Sequence, residues 1–484
     1  MNPAAESYLW TSGPAMSATG GRTRGEWRAS GVAIDSRTVK PGDLFIAIRG
    51  PRFDGHDFAA DALAEGAAAV VVDSLPEALA DDAPVLEVED TTRALEDLGR
   101  AARRRTGGRV IAVTGSVGKT GTKEALRVAL APQGSTVASE GSLNNHWGVP
   151  LSLARMPADA AFGVFEIGMN HGGEIAPLSR MASPHVAVIT NVESVHSAYF
   201  KTTEEIADAK AEIFEGMDPD GIAVINRDNP QFGRLAAAAE AAGVKTTVGF
   251  GVHADAQVRL VNVRPDCEGS DIEAMVSGAE VEYRLGVPGR HWVMNSLAVL
   301  AAVGAAGGDM GEAAAALAEL SGLKGRGQRH TIRVAGGTFV VIDETYNASP
   351  VSMNASFEVL GQMNPMGGGR RIAVLGDMLE LGKESEAKHA ALVEGLIAQK
   401  INLVFTAGQH MSALWDVLPR SMRGASACSI TRLLPEVTAA VRPGDVLVVK
   451  GSAGSKTGPV VEALLELGEP RGAGPDNRQH VVNG

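Results

Sequence analysis

The sequence predicts an α/β protein of three domains, and three observations carry that prediction. The chain has 484 residues, which at roughly 150 per domain amounts to about three. Short apolar runs alternate with helix-length segments along most of it, the pattern of βαβ units and parallel sheets. Two Gly-containing basic stretches, Arg103-Arg-Arg-Thr-Gly-Gly-Arg109 and Lys324-Gly-Arg-Gly-Gln-Arg-His330, interrupt the alternation. The expected domains are residues 1–106, 107–328 and 329–468. A tail at 469–484 lacks apolar periodicity and is expected to be mobile.

Within 31–105, the runs LFIAI (44–48) and AAVVV (68–72) alternate with turn-rich and Ala-rich helical segments, so the first domain is a small α/β unit. VIAVTG (110–115) is a continuous apolar strand of the kind buried in a parallel sheet. It is followed by a helix from Lys119, the strand FGVFEIG (162–168), a helix after Gly173, VAVITN (186–191), a helix over 203–217 and GIAVIN (221–226). Alternating segments over 257–285 predict antiparallel strands, and a helical run from Asn295 follows. Beyond the second break, TFVVID, RIAVLGD, LVFTAG and VLVVKGS with helices between them predict a Rossmann-like third domain. No internal repeat is visible.

A hydrophobic content of 45% with 21% charged residues suits a buried core and argues against disorder. Lys+Arg 44 against Asp+Glu 57 leaves a net charge of −13, without the bulk basicity that accompanies nucleic-acid binding. A local basic pocket could still hold a small anion. Two cysteines, Cys267 and Cys428, are too few for a disulfide framework or zinc cluster; they predict a reducing compartment and ordinary packing. The first residues lack a charged start followed by an apolar run, so no secretory signal is predicted. The most apolar stretch, 296–306, is too short and Ala-rich to span a bilayer. The expectation is a cytoplasmic monomer with no nucleic-acid partner and no stable membrane insertion.

The strongest chemical signal is Thr114-Gly-Ser-Val-Gly-Lys-Thr120, set between a buried strand and a helix. It makes the central domain phosphate-loop NTPase-like. Gly115 and Gly118, with Ser116 and Val117 between them, let backbone N–H groups approach an anion. Lys119 would pair with the β/γ-phosphates of ATP, and the Thr120 hydroxyl would bind Mg²⁺. The glycines stand two residues apart where the general pattern has four.

Such a site needs oxygen ligands near the strand ends. Glu166 closes the next apolar strand, as a metal ligand or as a satisfied core carboxylate. Asn191 ends the strand after that, and His196, five residues on, is either a metal contact or an ordinary loop histidine. On a helical projection of 203–217, Ile206, Ile213, Phe214 and Met217 share one arc, with Glu204, Glu205, Asp208, Glu212 and Glu215 opposite. Lys210 lies inside the apolar arc. It either snorkels or points into a catalytic cleft; a solvated lysine is expected on the acidic face, among its i,i+4 partners.

These residues, together with DSRTVKPGDLFIAIRG, SLNNHWGVPLSL, FEIGMNHGGEI, ITNVESVH, ADAKAEIF, VPGRHWVMNSL, DETYNASP, LGDMLELG and VKGS, resemble the Mur ligases of bacterial cell-wall synthesis from about Asp35 to Ser452. The short phosphate loop is the form that family uses. YNASP, GDMLELG and the Asp-Ser-Arg segment favour the branch that adds D-alanyl-D-alanine to a UDP-N-acetylmuramoyl-tripeptide. Another Mur ligase, a folylpolyglutamate-type ligase and a non-catalytic nucleotide switch are the rival readings.

The resemblance implies that Lys210 is carbamylated and binds a second Mg²⁺, and that Glu166 and His196 are metal ligands. It implies that Asn295 contacts adenine, that Arg326 and Asp343 lie on the nucleotide, and that Ser36 and Arg37 hold the uridine diphosphate. Without the family, Asp-Ser-Arg reads as a surface turn. Tyr346, Asn347 and Pro350 match the ligase motif, while Glu344 and Ser349 stand where Asp and Asn are usual. Gly121 replaces a hydroxyl residue and is assigned no phosphate contact. The implied reaction joins the two substrates through an acyl phosphate formed with ATP.

Overall fold

The computed structural model describes residues 8–193 and 199–468. His196 and the 469–484 tail lie outside the described residues. The described chain divides into two compact units, the second taking over at Ser321 apart from two short excursions, 265–269 and 287–290.

The first unit holds two parallel-type sheets. In the smaller, Gly31–Ala33, Asp43–Ile46, Ala69–Val72 and Val85–Glu87 run parallel, and Arg22–Arg24 adds an antiparallel edge. Leu44, Ile46, Val71 and Leu86 are buried with Leu95 and Leu98 of the helix Thr91–Arg105. That helix is capped by Asp90, whose carboxylate accepts from the Arg93 amide at 2.8 Å. The Trp10 indole donates to Ala154 O at 2.8 Å and the Arg155 guanidinium to Val32 O at 2.7 Å, tying this sheet's layer to the larger one.

The nine-stranded sheet runs in the order Ala279–Leu285, Ser270–Val276, Val258–Pro265, Thr246–Gly251, Ile222–Asn226, Val186–Ile189, Arg109–Thr114, Phe162–Glu166, Thr136–Ala138. Strand 109–114 lies inside it, pairing parallel with 162–166 and with 186–189. It is apolar on both faces because both are covered. Its carboxyl end, with those of its neighbours, is where the phosphate loop emerges.

The fold departs from the sequence pattern in three elements. Strand 258–265 joins strand 246–251 in parallel through Phe250↔Val258, whereas the 270–276/279–285 hairpin is antiparallel as expected; alternation reports a half-exposed strand, not its direction. The helix expected over 203–217 is α-helical for Thr203–Ala211 and then tightens to a 3₁₀ turn, Glu212–Gly216. Gly216 packs on the Ser179 backbone so closely that a Cβ would fall 2.1 Å from Ser179 C. Glu212, expected on the solvated acidic face, instead accepts from the amides of Gly173, Ile175 and Ala176 and caps the helix Ile175–Ala182. The helix expected from Asn295 starts earlier, at Arg290.

The second unit is a six-stranded sheet in the order Gln328–Val334, Gly337–Glu344, Val446–Lys450, Arg371–Gly376, Leu403–Ala407, Arg423–Ala427. All neighbours are parallel except the first pair. Strand 328–334 begins inside the second basic stretch, which the sequence reads as a domain boundary. Both cysteines are exposed, which overturns their assignment to ordinary packing. Among the described residues no helix is long and apolar enough to cross a membrane.

Candidate active site

Backbone geometry explains both loop glycines. Gly115 and Gly118 have φ of +151° and +85°, conformations open to glycine. A Cβ on Gly115 would sit 2.0 Å from Thr190 Oγ1, and one on Gly118 2.9 Å from Asn295 Oδ1. The loop between them is held from the end of strand 186–189. Ser116 N donates to Asn191 O (2.8 Å), Ser116 Oγ to Glu193 O (3.1 Å), and Thr190 Oγ1 to Val117 O (2.6 Å). Helix Lys119–Leu130 starts directly behind Gly118, so its first amides and dipole face the loop.

Lys119 Nζ donates to Gly115 O at 2.8 Å and so folds back across the loop. Thr120 Oγ1 donates to Glu166 Oε2 at 2.7 Å, and Asn144 Nδ2 donates to Glu166 Oε1 at 2.6 Å. Glu166 is only 1% exposed. Each of its oxygens accepts one hydrogen bond, so each keeps lone-pair capacity for a cation. The Thr120 hydroxyl spends its proton on Glu166, which leaves its own oxygen lone pairs available. This is an all-oxygen donor pair, and it suits Mg²⁺. Among the described residues no group of three His, Cys, Asp or Glu side chains is placed to hold a metal, so a site here requires the hydroxyl or further groups.

Lys210 is buried, at 2% exposure, on the helix whose Ile206 and Ala207 enter the central core. The snorkelling reading therefore fails. Burial pushes its amine well below the ordinary lysine range, and the charge of Lys119 pushes in the same direction. Both effects disfavour the charged form.

The structure thus brings Gly115, Ser116, Val117, Gly118, Lys119, Thr120, Glu166 and Asn295 together, with Lys210 within electrostatic reach of Lys119. Four residues that sequence reasoning left without a role join them. Asn144 binds Glu166, Thr190 and Glu193 clasp the loop, and Asn229 donates to Asn191 Oδ1 and to Val192 O. The asparagine pair in SLNNHWG is the sequence signal for the first.

Ser36 and Arg37 form a 3₁₀ turn whose cap, Asp35, accepts from the Arg37 amide and from its guanidinium at 2.9 and 2.6 Å. Arg37 holds the Asp35 carboxyl below its usual range. Taken alone, this is the geometry of an ordered surface turn.

In the second unit, the carboxyl ends of strands 337–344 and 446–450 assemble another group. Asp343 Oδ2 accepts from Gly325 N at 2.9 Å, and its Oδ1 accepts from Thr345 Oγ1 at 2.6 Å. The carboxylate therefore shapes the turn that carries Arg326. The Arg326 guanidinium lies over the Tyr346 ring, 3.9 Å from its centroid. Asn347 Oδ1 accepts from Ala348 N, and Pro350 opens the helix Pro350–Gln362 at a position where no N–H is needed.

Both departures from the ligase motif have structural reasons. Ser349 is the N-cap of that helix, exchanging hydrogen bonds with Ser352 in a capping box. Glu344 accepts from the buried Lys450 Nζ at 3.1 Å, while Lys450 also donates to Asn347 O at 2.9 Å.

A glycine-built loop between a parallel strand and a helix, with the helix hydroxyl bonded to a buried carboxylate one strand away, defines a phosphate-loop nucleotide-binding domain. Three family descriptions match the chain in order: "Mur ligase family, catalytic domain" over residues 28–103, "Mur ligase middle domain" over 113–303 and "Mur ligase, glutamate ligase domain" over 325–453. The chain belongs to the Mur ligase family. The UDP-N-acetylmuramoyl-tripeptide–D-alanyl-D-alanine ligase of Bacillus subtilis is 37% identical over 440 residues, covering 90% of this chain and 93% of that protein. The Escherichia coli protein of the same name is 34% identical, covering 90% and 94%. A crystal structure of MurF from Acinetobacter baumannii superimposes with a TM-score of 0.82 at 30% identity, covering 94% of this chain and 99% of that one. MurF ligase from Thermotoga maritima, solved in complex with ADP, gives 0.74 at 28% identity, covering 90% and 97%.

Proposed function

We propose that this chain catalyses the ATP-dependent ligation of D-alanyl-D-alanine to UDP-N-acetylmuramoyl-tripeptide, giving the UDP-N-acetylmuramoyl-pentapeptide, ADP and phosphate. The observation that carries the chemistry is the phosphate loop with Thr120 bonded to the buried Glu166 and a buried Lys210 within the field of Lys119. Likeness over nine-tenths of the chain to ligases of that name supports the substrates.

A carboxylate is a poor electrophile, so amide formation requires activation. The tripeptide's terminal carboxylate oxygen attacks the γ-phosphorus, the bond to the β-phosphate oxygen breaks, and ADP leaves. The free amine of the dipeptide then attacks the acyl carbon, loses a proton, and expels phosphate. Loop amides from Gly115 to Gly118, apart from that of Ser116, which Asn191 O holds, orient the phosphates, and Lys119 neutralises charge that builds up in both steps. Asn295, packed against Gly118, borders the nucleotide, and likeness to the family assigns Arg326 and Asp343 to nucleotide binding as well. Ser36 and Arg37 hold the uridine diphosphate, and Tyr346, Asn347 and Pro350 form the acceptor side.

Mg²⁺, as two ions held by Thr120, Glu166, His196 and a carbamylated Lys210, supplies charge neutralisation on the phosphates when bound. A neutral Lys210 amine is the form that attacks CO₂; the new N–C bond costs the nitrogen one proton and yields an anionic oxygen donor. Residues 1–106, 107–328 and 329–468 divide the work as UDP-sugar, ATP and dipeptide domains of a cytoplasmic enzyme.

The test is phosphate release from ATP with UDP-N-acetylmuramoyl-tripeptide and a panel of acceptors. Stimulation by D-alanyl-D-alanine and not by single amino acids is expected. Release stimulated by glutamate on a folate substrate, or no acceptor stimulation, overturns the proposal.

A further inference from the structure

Lys123 is a wholly buried lysine outside the proposed chemistry, one turn beyond Thr120 on helix 119–130. Its ammonium has three donors, and three acceptors meet them: Glu124 Oε1 at 2.5 Å, Ser139 O at 2.6 Å and Gly141 O at 3.2 Å. Two of these are main-chain carbonyls of a single segment, which leaves strand Thr136–Ala138 and leads to Asn144.

The same segment grips Glu166. Ser139 Oγ accepts from Glu166 N at 3.2 Å, Asn144 Nδ2 donates to Glu166 Oε1 at 2.6 Å, and Asn144 O accepts from Gly168 N at 2.9 Å. Gly168 lets the strand end lie this close, since a Cβ there would fall 2.9 Å from Asn144 Oδ1. One helix therefore addresses both oxygens of Glu166. Thr120 reaches Oε2 directly, and Lys123 reaches Oε1 through the segment it holds.

We infer that Lys123 is a positioning residue that fixes the orientation of Glu166 toward a divalent cation on the nucleotide phosphates, without itself touching cation or nucleotide. A carboxylate gripped on both oxygens cannot rotate freely, so its remaining lone pairs point in a set direction. An ammonium suits this task better than a neutral donor, because its several donors meet both carbonyls and the Glu124 carboxylate at once. The inference rests on the proposal that Glu166 is a cation ligand.

The test uses the full-length protein and ADP, with no acceptor and no turnover. ADP affinity is measured by titration calorimetry with Mg²⁺ and with EDTA, for wild type, Lys123→Met, Lys123→Arg, Asn144→Ala and the Lys123→Met/Asn144→Ala double variant. Lys123→Met is expected to cut the Mg²⁺-dependent gain in ADP affinity about tenfold and to leave metal-free affinity unchanged. Lys123→Arg should restore most of the gain. Asn144→Ala should match Lys123→Met, and the double variant should lose no more than either alone. A wild-type Mg²⁺ gain in Lys123→Met overturns the inference, as do equal losses with and without Mg²⁺ or losses that multiply in the double variant. Should Lys123→Met fail to fold, Ser139→Ala keeps the buried ammonium and removes only the hydroxyl on Glu166 N; a wild-type Mg²⁺ gain in both Ser139→Ala and Asn144→Ala is then the overturning result. Failure of ligation with D-alanyl-D-alanine would strike the proposed function and leave these affinities untouched.

Discussion

Thr120 and Glu166, 46 residues apart in the chain, meet at 2.7 Å, hydroxyl to carboxylate. Neither side chain alone specifies a cation site. Their contact at the start of a helix, beside the phosphate loop, sets oxygen donors next to a place for phosphate, which is the arrangement the proposed function uses. It also gives Glu166 a reason to be buried at a strand end.

Lys210→Ala should lower ligation by about 10²–10³-fold while ADP still binds. Acetate or another small carboxylate should restore part of the activity, since it returns an anionic oxygen to the vacated volume. Steady-state turnover with and without added carboxylate is the measurement. A variant that keeps wild-type turnover would remove the carbamate from the reaction.

Gly118→Ala places a Cβ at φ +85° and 2.9 Å from Asn295 Oδ1. The backbone conformation alone costs about 1–2 kcal/mol, and the displaced asparagine adds to it. The expected result is a lower Tm together with a raised KM for ATP. Gly121→Ala, which meets the Trp292 ring at 2.9 Å from within the helix, should lower Tm with a smaller effect on KM.

Ser349→Ala removes the N-cap of helix Pro350–Gln362 and should cost about 1 kcal/mol, read as a lower midpoint for unfolding of the unit that contains it. Ser349→Asn, the residue usual in the family, caps equally well and should stay near wild type. A Ser349→Ala midpoint equal to wild type would show that the capping box contributes nothing.

His185 accepts from Val110 N through Nδ1 at 2.9 Å, so it is neutral in the fold. Burial, followed by the charges of Arg103 and Arg109, lowers its pKa from 6.5 to about 4. The unfolded chain therefore binds the extra proton first. Stability should fall as pH drops from 6.5 toward 4, and be level above that window. Because the imidazole is only partly buried, solvent screening keeps the effect modest. His185→Asn, which retains an acceptor, should flatten the slope in pH-dependent denaturation; an unchanged slope would exclude His185 as its source.

Chemistry that is contiguous in the chain is legible in the sequence by itself. The phosphate loop, the strand-helix alternation, the carboxylate at the end of 162–166 and the lysine in an apolar arc are all local patterns, set by backbone φ, periodicity and side-chain type. Those patterns single out Gly115 to Thr120, Glu166 and Lys210 as candidate site residues. Tertiary structure alone decides which distant groups hold them. Asn144 meets Glu166 across 22 residues and Ser116 meets Glu193 across 77, because sheet order brings strand ends 138, 166 and 189 to one edge. It also decides against local pattern where packing is stronger. The 203–217 helix tightens where Gly216 meets Ser179, strand 258–265 pairs in parallel because its neighbour offers that edge, and both cysteines face solvent. Periodicity records how much of each residue is covered; only the fold determines what covers it.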